Sequence, residues 1–580
     1  MIRAGFAGLC AAAVLAACSG SAAEGPSPTA DGASVEASAT PSALPVECAT
    51  DVVAGTVTIW HSMSGLAATD LWEQFEADFE RTHDLELQID SFAGDSAIVE
   101  RLQDTDRSQW PDLVAVSEQN TRTLVDTGQF LPPATCEPSI GDDLLPLASA
   151  TYTVDDELVA LPFAVSVPVL VFDAAEFRRA GLDPADPPHT LAELLEASAT
   201  LARSGASPYG LVLTDACANM VLGQYSAKRG TPESPPDNGH ESGAIAVDYA
   251  NPENIADFTA LAQGVVEGHV KYLGGSESNM DDLVEISNSV DGGGTMTVHT
   301  SGALGDVIRL LLNFPGVELG VGPLPGPGPG SLIGGNALWL TQNADAAQLG
   351  RAWSVLRWLY EPTQLAQVAA EAGYVPPTAA AAQDPALLER WHRFPQLKVA
   401  YEQVLATEVN QASAGALFGP FTGRAGALYE ACDQIMAQGA DVATALDAAS
   451  VAVNEMVAQY EAQKAGDAAP PPSLEPPVAP SAMDIAGTVE CASGAAVVGV
   501  WVEAESGPDQ NSGWAVYTTT APSAATYTFT LQFGGRFQLH VGCGGSENEW
   551  GSSSFTMFVS DSQDFLCYDD PPRRGTCDTV

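Results

Sequence analysis

The side chains best suited to catalysis are scattered through this chain rather than grouped. Its eight histidines are dispersed. No H-E-x-x-H pair, G-x-S-x-G elbow or Walker A sequence occurs. The run GPLPGPGPG at 322–330 has no lysine and too many prolines to cradle a phosphate. His61 and Ser62 are neighbours on a strand and point to opposite faces, so they make no nucleophile pair. Carboxylates are abundant, with 74 Asp and Glu, yet no spacing selects two of them as a glycosidase pair. What remains is recognition chemistry: hydroxyls, carboxylates and aromatic faces at the ends of strands.

The cysteines carry a second kind of chemistry. Met1 to Cys18 reads MIRAGFAGLCAAAVLAAC. Arg3 precedes an apolar stretch too short to span a bilayer, and Leu15-Ala16-Ala17-Cys18 matches a lipobox. Small residues there admit the segment to a peptidase cleft, and the Cys18 thiol can carry a diacylglyceryl group. With Cys10 removed and Cys18 lipidated, eight cysteines remain, an even number that favours disulfides in an exported protein. Spacing leaves the connectivity open. The expected pairs are Cys48–Cys136, Cys217–Cys432, Cys491–Cys543 and Cys567–Cys577. Without a C-x-x-C pair there is no sign of a zinc ribbon, and no metal or cofactor is expected.

The elements that must position these groups are legible from periodicity. Thr56 to Trp60 alternates as a strand. Leu71, Phe75 and Phe79 then recur at helical spacing. Leu85 to Ile89 alternates again, Ile98 and Leu102 mark a second helix, and Leu113 to Val116 reads as a buried strand. Strand, helix, strand, helix, strand predicts a parallel sheet covered by helices, with ligands at the carboxyl ends of its strands. Those ends carry His61-Ser62-Met63 and Ser117-Glu118. From 160 to 460 the α/β pattern continues, with helices expected at 190–203, 346–360, 362–372 and 440–462.

Composition divides the chain. Residues 1–18 read as a lipoprotein leader, and 19–45 as a Ser-, Ala- and Pro-rich flexible spacer that cannot bury a core. Residues 46–463 form the main domain, and 464–483 a Pro-rich linker. Short strands separated by Gly, Ser, Asn and Asp predict a β-sandwich over 484–580. The net charge is −52, with only 22 basic residues, which argues against nucleic-acid binding.

Six stretches in order resemble the bacterial extracellular solute-binding proteins of ABC importers (family 1). They are WHSMSG at 60–65, PDLVAVSE at 111–118, LPFAVSVPVLVFDAAEFRRAGLDP at 161–184, TMTVHTSGAL at 295–304, IGGNALWL at 333–340 and AGYVPPT at 372–378. The likeness is nearest to the glycerol-3-phosphate-binding branch, with maltose-type members more distant. It covers about 50–460. It implies an α/β, two-lobed periplasmic-binding-protein fold (type II), capture by lobe closure, and delivery of a sugar or glycerol-phosphate solute to a membrane permease without chemistry. It matches Glu118, Ser166, Ser301, Gly335 and Tyr374 to ligand-contacting positions. Ser96 stands where the family has a cleft tyrosine. Trp60 could stack on a sugar ring or pack in the core, and Trp339 reads as core. The family's second-lobe tryptophans fall near Ala216 and Asn219. Its phosphate-binding arginine falls near Leu417, with Arg424 close by as a substitute.

Two other classes of function remain. One is a surface carbohydrate-binding or adhesion lipoprotein, for which Trp501, Trp514 and Trp550 are either surface aromatics or core; the other is a secreted glycoside hydrolase. All readings place the chain outside the cytoplasmic membrane, tethered by lipid, and none includes nucleic acid.

Overall fold

The computed structural model describes Cys48, residues 54–465 and residues 483–579, except 64, 206, 215–216, 244, 275–280, 288–292, 312–315, 344, 420, 505–512, 532–534, 544–549, 558–560 and 569–575. Cys10, Cys18, the spacer, Ala216 and nearly all of the Pro-rich linker lie outside the described residues, as does the side chain of Trp514.

The alternating and helical patterns become two α/β lobes. In the first, strand Gly55–His61 buries Val57 and Ile59 completely, and helix Leu66–Thr82 lays Leu71, Phe75 and Phe79 onto the sheet. Each such side chain taken from water contributes about 1.5–3 kcal/mol. Strand Gly55–His61 pairs in parallel with both Leu85–Ser91 and Leu113–Ser117. The strand Gly334–Thr341 then returns from far along the chain. It pairs antiparallel with Leu113–Ser117 on one side and with Leu161–Ser166 on the other. Trp339 is fully buried in this strand, and Trp60 is buried against Phe92, with ring centroids 5.1 Å apart.

The second lobe is a five-stranded sheet in the order Val270–Tyr272, Tyr209–Leu213, Gly294–Thr300, Pro168–Asp173, Leu319–Pro323. Helices Leu191–Ser204, Phe421–Met436 and Val442–Lys464 share its apolar core. Their starts are set locally. Thr190 and Glu193 form a reciprocal capping box, and Asp441 accepts the Thr444 N–H.

The chain crosses between lobes where one strand ends and another begins. Val167 separates strand Leu161–Ser166 of the first sheet from Pro168–Asp173 of the second. Residues 301–303 follow strand Gly294–Thr300, and 324–333 lead back to the first sheet. Gln403, buried, ties two crossings together. Its Nε2 donates to Pro168 O at 2.9 Å and to Ser331 Oγ at 3.1 Å, while Leu324 N donates to its Oε1 at 2.7 Å.

Residues 483–579 form a separate all-β domain. One layer runs through Gly499–Ala504, Gly535–Gly542 and Gly551–Met557; the other through Phe565–Tyr568, Met483–Cys491, Ala524–Leu531 and Val516–Ala521. The strand Thr576–Thr579 joins them, touching the first layer through the single pair Ser552 and Thr576. Val500 and Val502 of one layer and Ile485 and Val489 of the other enclose one core. Trp501 lies between those valines in sequence, only half-buried and outside that core. Trp550 is also half-buried, close against Gly542.

The four disulfides are Cys48–Cys136, Cys217–Cys432, Cys491–Cys543 and Cys567–Cys577, the pairs expected from the sequence.

Candidate ligand cleft

These three crossings open onto one cavity of ≈ 620 Å³ between the lobes. Ser166, Val167 and Pro168 line it from the first crossing, Thr300, Gly302 and Ala303 from the second, and Leu332, Ile333 and Gly334 from the third. Movement of one lobe against the other therefore changes the cavity directly.

The first lobe brings Glu118, Ser166, Gly334 and Tyr374 to this cavity. The reason lies in strand register. Asn336 pairs with Ser117 and Gly334 with Ser166, so Gly334 falls beside the strand ends that carry Glu118 and Ser166. A methyl group at Gly334 would sit 3.6 Å from both Glu118 carboxylate oxygens and from Ser166 Oγ. Glu118 Oε2 is enclosed and has no hydrogen-bond partner. Burial pushes the Glu118 carboxyl up to about 8, against a hydrogen bond from its own backbone and with the help of the nearby Asp95 charge. A solute hydroxyl would supply the donor that this oxygen lacks. Burial also raises the Tyr374 hydroxyl to about 12, with Asp306 and Asp95 adding to the effect, so Tyr374 offers a neutral donor and a ring.

The other expected residues lie behind the cavity wall or away from it. Ser301 is fully buried; its Oγ accepts from Val167 N at 3.1 Å, and its own N donates to Val167 O at 2.8 Å. It holds two crossings together, and its neighbours Thr300 and Gly302 face the cavity. Gly335 has φ +95°, and a methyl group there would meet Ala164 O at 1.9 Å, so its glycine serves the backbone. The cavity-facing glycine is Gly334. Ser96 is exposed and absent from the lining, as is the buried Trp60, which packs on the sheet's own layer.

Asp95, beside Ser96, is the residue that organises this edge. Its carboxylate accepts from Ser62 Oγ, from both Oγ and N of Ser117, and from Asn120 Nδ2 at 2.8 Å. Asn336 Nδ2 donates to Ser62 Oγ at 2.9 Å. A sequence signal for this exists: Ser62 and Ser117 stand at the ends of neighbouring parallel strands, where half-buried hydroxyls call for a shared partner.

Behind the strand end, His61 is buried and stacked on Trp72 at 4.8 Å. Burial pulls its pKa down to about 4, so the ring is neutral at pH 7.

The second lobe contributes Asn219, Asp282, His299, Phe418 and Arg424, among others. Leu417 lines the cavity near the position the resemblance gives to the family's arginine, and Arg424 lines it as well. Arg424 is buried, ion-paired with Glu233, and lies over the Phe418 ring at 4.4 Å. Tyr249 OH donates to the same Glu233 oxygen at 2.8 Å. Burial opposes the Arg424 charge, but the Glu233 carboxylate outweighs it and keeps the guanidinium charged.

A cavity shared by two hinged lobes, lined by polar side chains at strand ends, defines a protein built to enclose a small molecule. The sequence model of the bacterial extracellular solute-binding proteins matches residues 74–396, more than half of the chain, and the protein belongs to that family. The sn-glycerol-3-phosphate-binding periplasmic protein of Brucella abortus is 27% identical over 319 residues, 54% of this chain and 71% of its own length. Its counterpart in Rhizobium meliloti is 24% identical over 412 residues, covering 69% and 93%. Among solved structures, UgpB of Mycobacterium tuberculosis in complex with glycerophosphocholine superposes with a TM-score of 0.58 at 19% identity, over 70% of this chain and all of that one. A ribitol complex from Agrobacterium radiobacter gives 0.56 at 19%, over 71% and 100%. These neighbours share the two-lobed fold. Among the described residues, no helix is long and apolar enough to cross a membrane.

Proposed function

We propose that the protein captures a small hydroxyl-rich solute, a sugar, polyol or glycerol-phosphate ester, and delivers it to an ABC permease while held to the outer face of the membrane by a lipid on Cys18. The observation that carries this reading is the unpartnered Glu118 Oε2 in a cavity lined by three lobe crossings. Glu118 accepts a ligand hydroxyl, Ser166 adds a second hydrogen bond, and Tyr374 covers the solute. A solute touching both lobes favours the closed arrangement by its differential affinity for it. The ligands named for the relatives, glycerol 3-phosphate, glycerophosphocholine and ribitol, support a polyol as the shared chemistry.

A thermal-shift screen of sugars, polyols and glycerophosphodiesters tests the reading, because a ligand that binds only the folded state raises its melting point. One chemical class should raise Tm, and Glu118→Ala should weaken that ligand roughly ten- to a hundredfold, because a buried ligand hydroxyl loses its acceptor. No stabilisation by any of the three classes would sink it. Cys18→Ser should release the protein from the membrane; retention of that variant there would remove the anchor from the reading.

A further inference from the structure

We infer that Glu233 makes the cleft reject phosphorylated solutes, so that the molecule captured is a phosphate-free sugar or polyol. This rests on the cleft being the solute site. Phosphate recognition in a desolvated cavity calls for a guanidinium fork or an ammonium group free to face the anion. Among the described residues lining the cleft, Arg424 is the one arginine and there is no lysine. That arginine commits its Nη2 to Glu233. Its ion pair with Glu233 is buried, with 6% and 7% of the two side chains exposed. The Phe418 ring covers the guanidinium, and Tyr249 OH holds the Glu233 carboxylate in place. Drawing Arg424 towards a phosphate would leave Glu233 as a lone buried charge, a costly state.

The other charges of the lining point the same way. With Arg424 and Glu233 cancelling, the carboxylates Asp282 and Asp306 remain, and Glu118, raised to about 8, adds its charge at alkaline pH. Asp306 accepts the Ala67 N–H at 3.0 Å, and Asp282 accepts from Thr297 Oγ1 at 2.8 Å with His299 at 3.7 Å. A phosphate dianion would meet these carboxylates across a low-dielectric gap. A neutral hydroxyl donates to them instead.

Calorimetry with matched pairs tests the inference: glycerol and sn-glycerol 3-phosphate, ribitol and ribitol 5-phosphate, glucose and glucose 6-phosphate. The wild-type protein should bind the phosphate-free member of a pair at least about tenfold more tightly. Glu233→Gln keeps an acceptor for Tyr249 and removes the charge, freeing the guanidinium. It should gain roughly ten- to a hundredfold for the phosphorylated member. Glu233→Asp, which keeps the charge, should retain the wild-type preference, and unfolding curves verify that both variants fold. Wild-type protein binding the phosphorylated member equally or more tightly would overturn the inference while leaving solute capture intact. Rejection that persists in folded Glu233→Gln would take the role away from Glu233. Binding of no member of any pair would remove the solute-capture reading together with this one.

Discussion

Ser301 and Val167 hold each other by two hydrogen bonds, Ser301 N to Val167 O at 2.8 Å and Val167 N to Ser301 Oγ at 3.1 Å. The pair joins the first lobe crossing to the second. Removing the hydroxyl strands a buried N–H. Ser301→Ala should therefore lower the unfolding free energy by about 1–3 kcal/mol in urea titrations. An unchanged midpoint would show that the crossings are held by other contacts, Gln403 foremost.

The two glycines that follow Ile333 should behave oppositely. Gly335→Ala combines a positive φ with a carbonyl 1.9 Å from the new methyl. Strain alone amounts to about 1–3 kcal/mol, and the clash adds to it, so loss of folded yield is expected. At Gly334 φ is unstrained and the nearest atoms lie at 3.6 Å, on Glu118 and Ser166. Gly334→Ala should keep the melting temperature and weaken solute binding. Unimpaired binding would move the solute away from that wall.

Glu118 and His61 shape the pH dependence of stability in opposite directions. The Glu118 carboxyl is raised from 4.5 to about 8, so the folded state holds its proton more tightly than the unfolded state. The stability it contributes is complete below about pH 4.5 and is lost as pH rises towards about 8. His61 is lowered from 6.5 to about 4, so its contribution is present above about pH 6.5 and is lost as pH falls towards about 4. Melting curves across pH 4–9 should show Glu118→Gln gaining on wild type at the alkaline end. His61→Phe should flatten the acid limb. Parallel curves for all three proteins would contradict both assignments.

Cys217 lines the cleft, and Cys432 sits in helix Phe421–Met436, two turns beyond Arg424. Their bond closes a separation of 215 residues and fixes the Arg424 helix to the cleft wall. Replacing both cysteines by serine should cost about 2–5 kcal/mol and loosen solute binding. Unreduced peptide mapping would detect the bridge, and a free Cys217 thiol would deny it.

Much of the scaffold was legible from local pattern. Leu71, Phe75 and Phe79 announce a helix and its buried face. The expected helix at 190–203 differs from the observed Leu191–Ser204 by one residue at each end, because Thr190 caps its start and Gly205, with positive φ, ends it. Glu118 was visible as a carboxylate at a strand end, and the resemblance drew Ser166 and Tyr374 to the same place. The resemblance matches Ser301 and Gly335 to ligand contacts, whereas their neighbours Thr300, Gly302 and Gly334 line the cavity. Which of two adjacent residues faces inward depends on a bulge between Asn336 and Ala337 and on the path of a crossing, neither of which periodicity encodes.

By itself, the sequence determined the alternation of strands and helices, the change to an all-β domain after the Pro-rich stretch, and an even set of cysteines. All of these follow from side-chain period and composition along contiguous residues. Only the tertiary structure decided that strand Gly334–Thr341 enters the first sheet between Leu113–Ser117 and Leu161–Ser166. It also decided that Glu233 meets Arg424 across 191 positions of chain. Such partners are chosen by strand order and by how the second lobe closes its core, and no short stretch of residues carries that information. For this cleft the difference is decisive: an arginine that in sequence stood near a missing phosphate ligand is, in the folded chain, already paired.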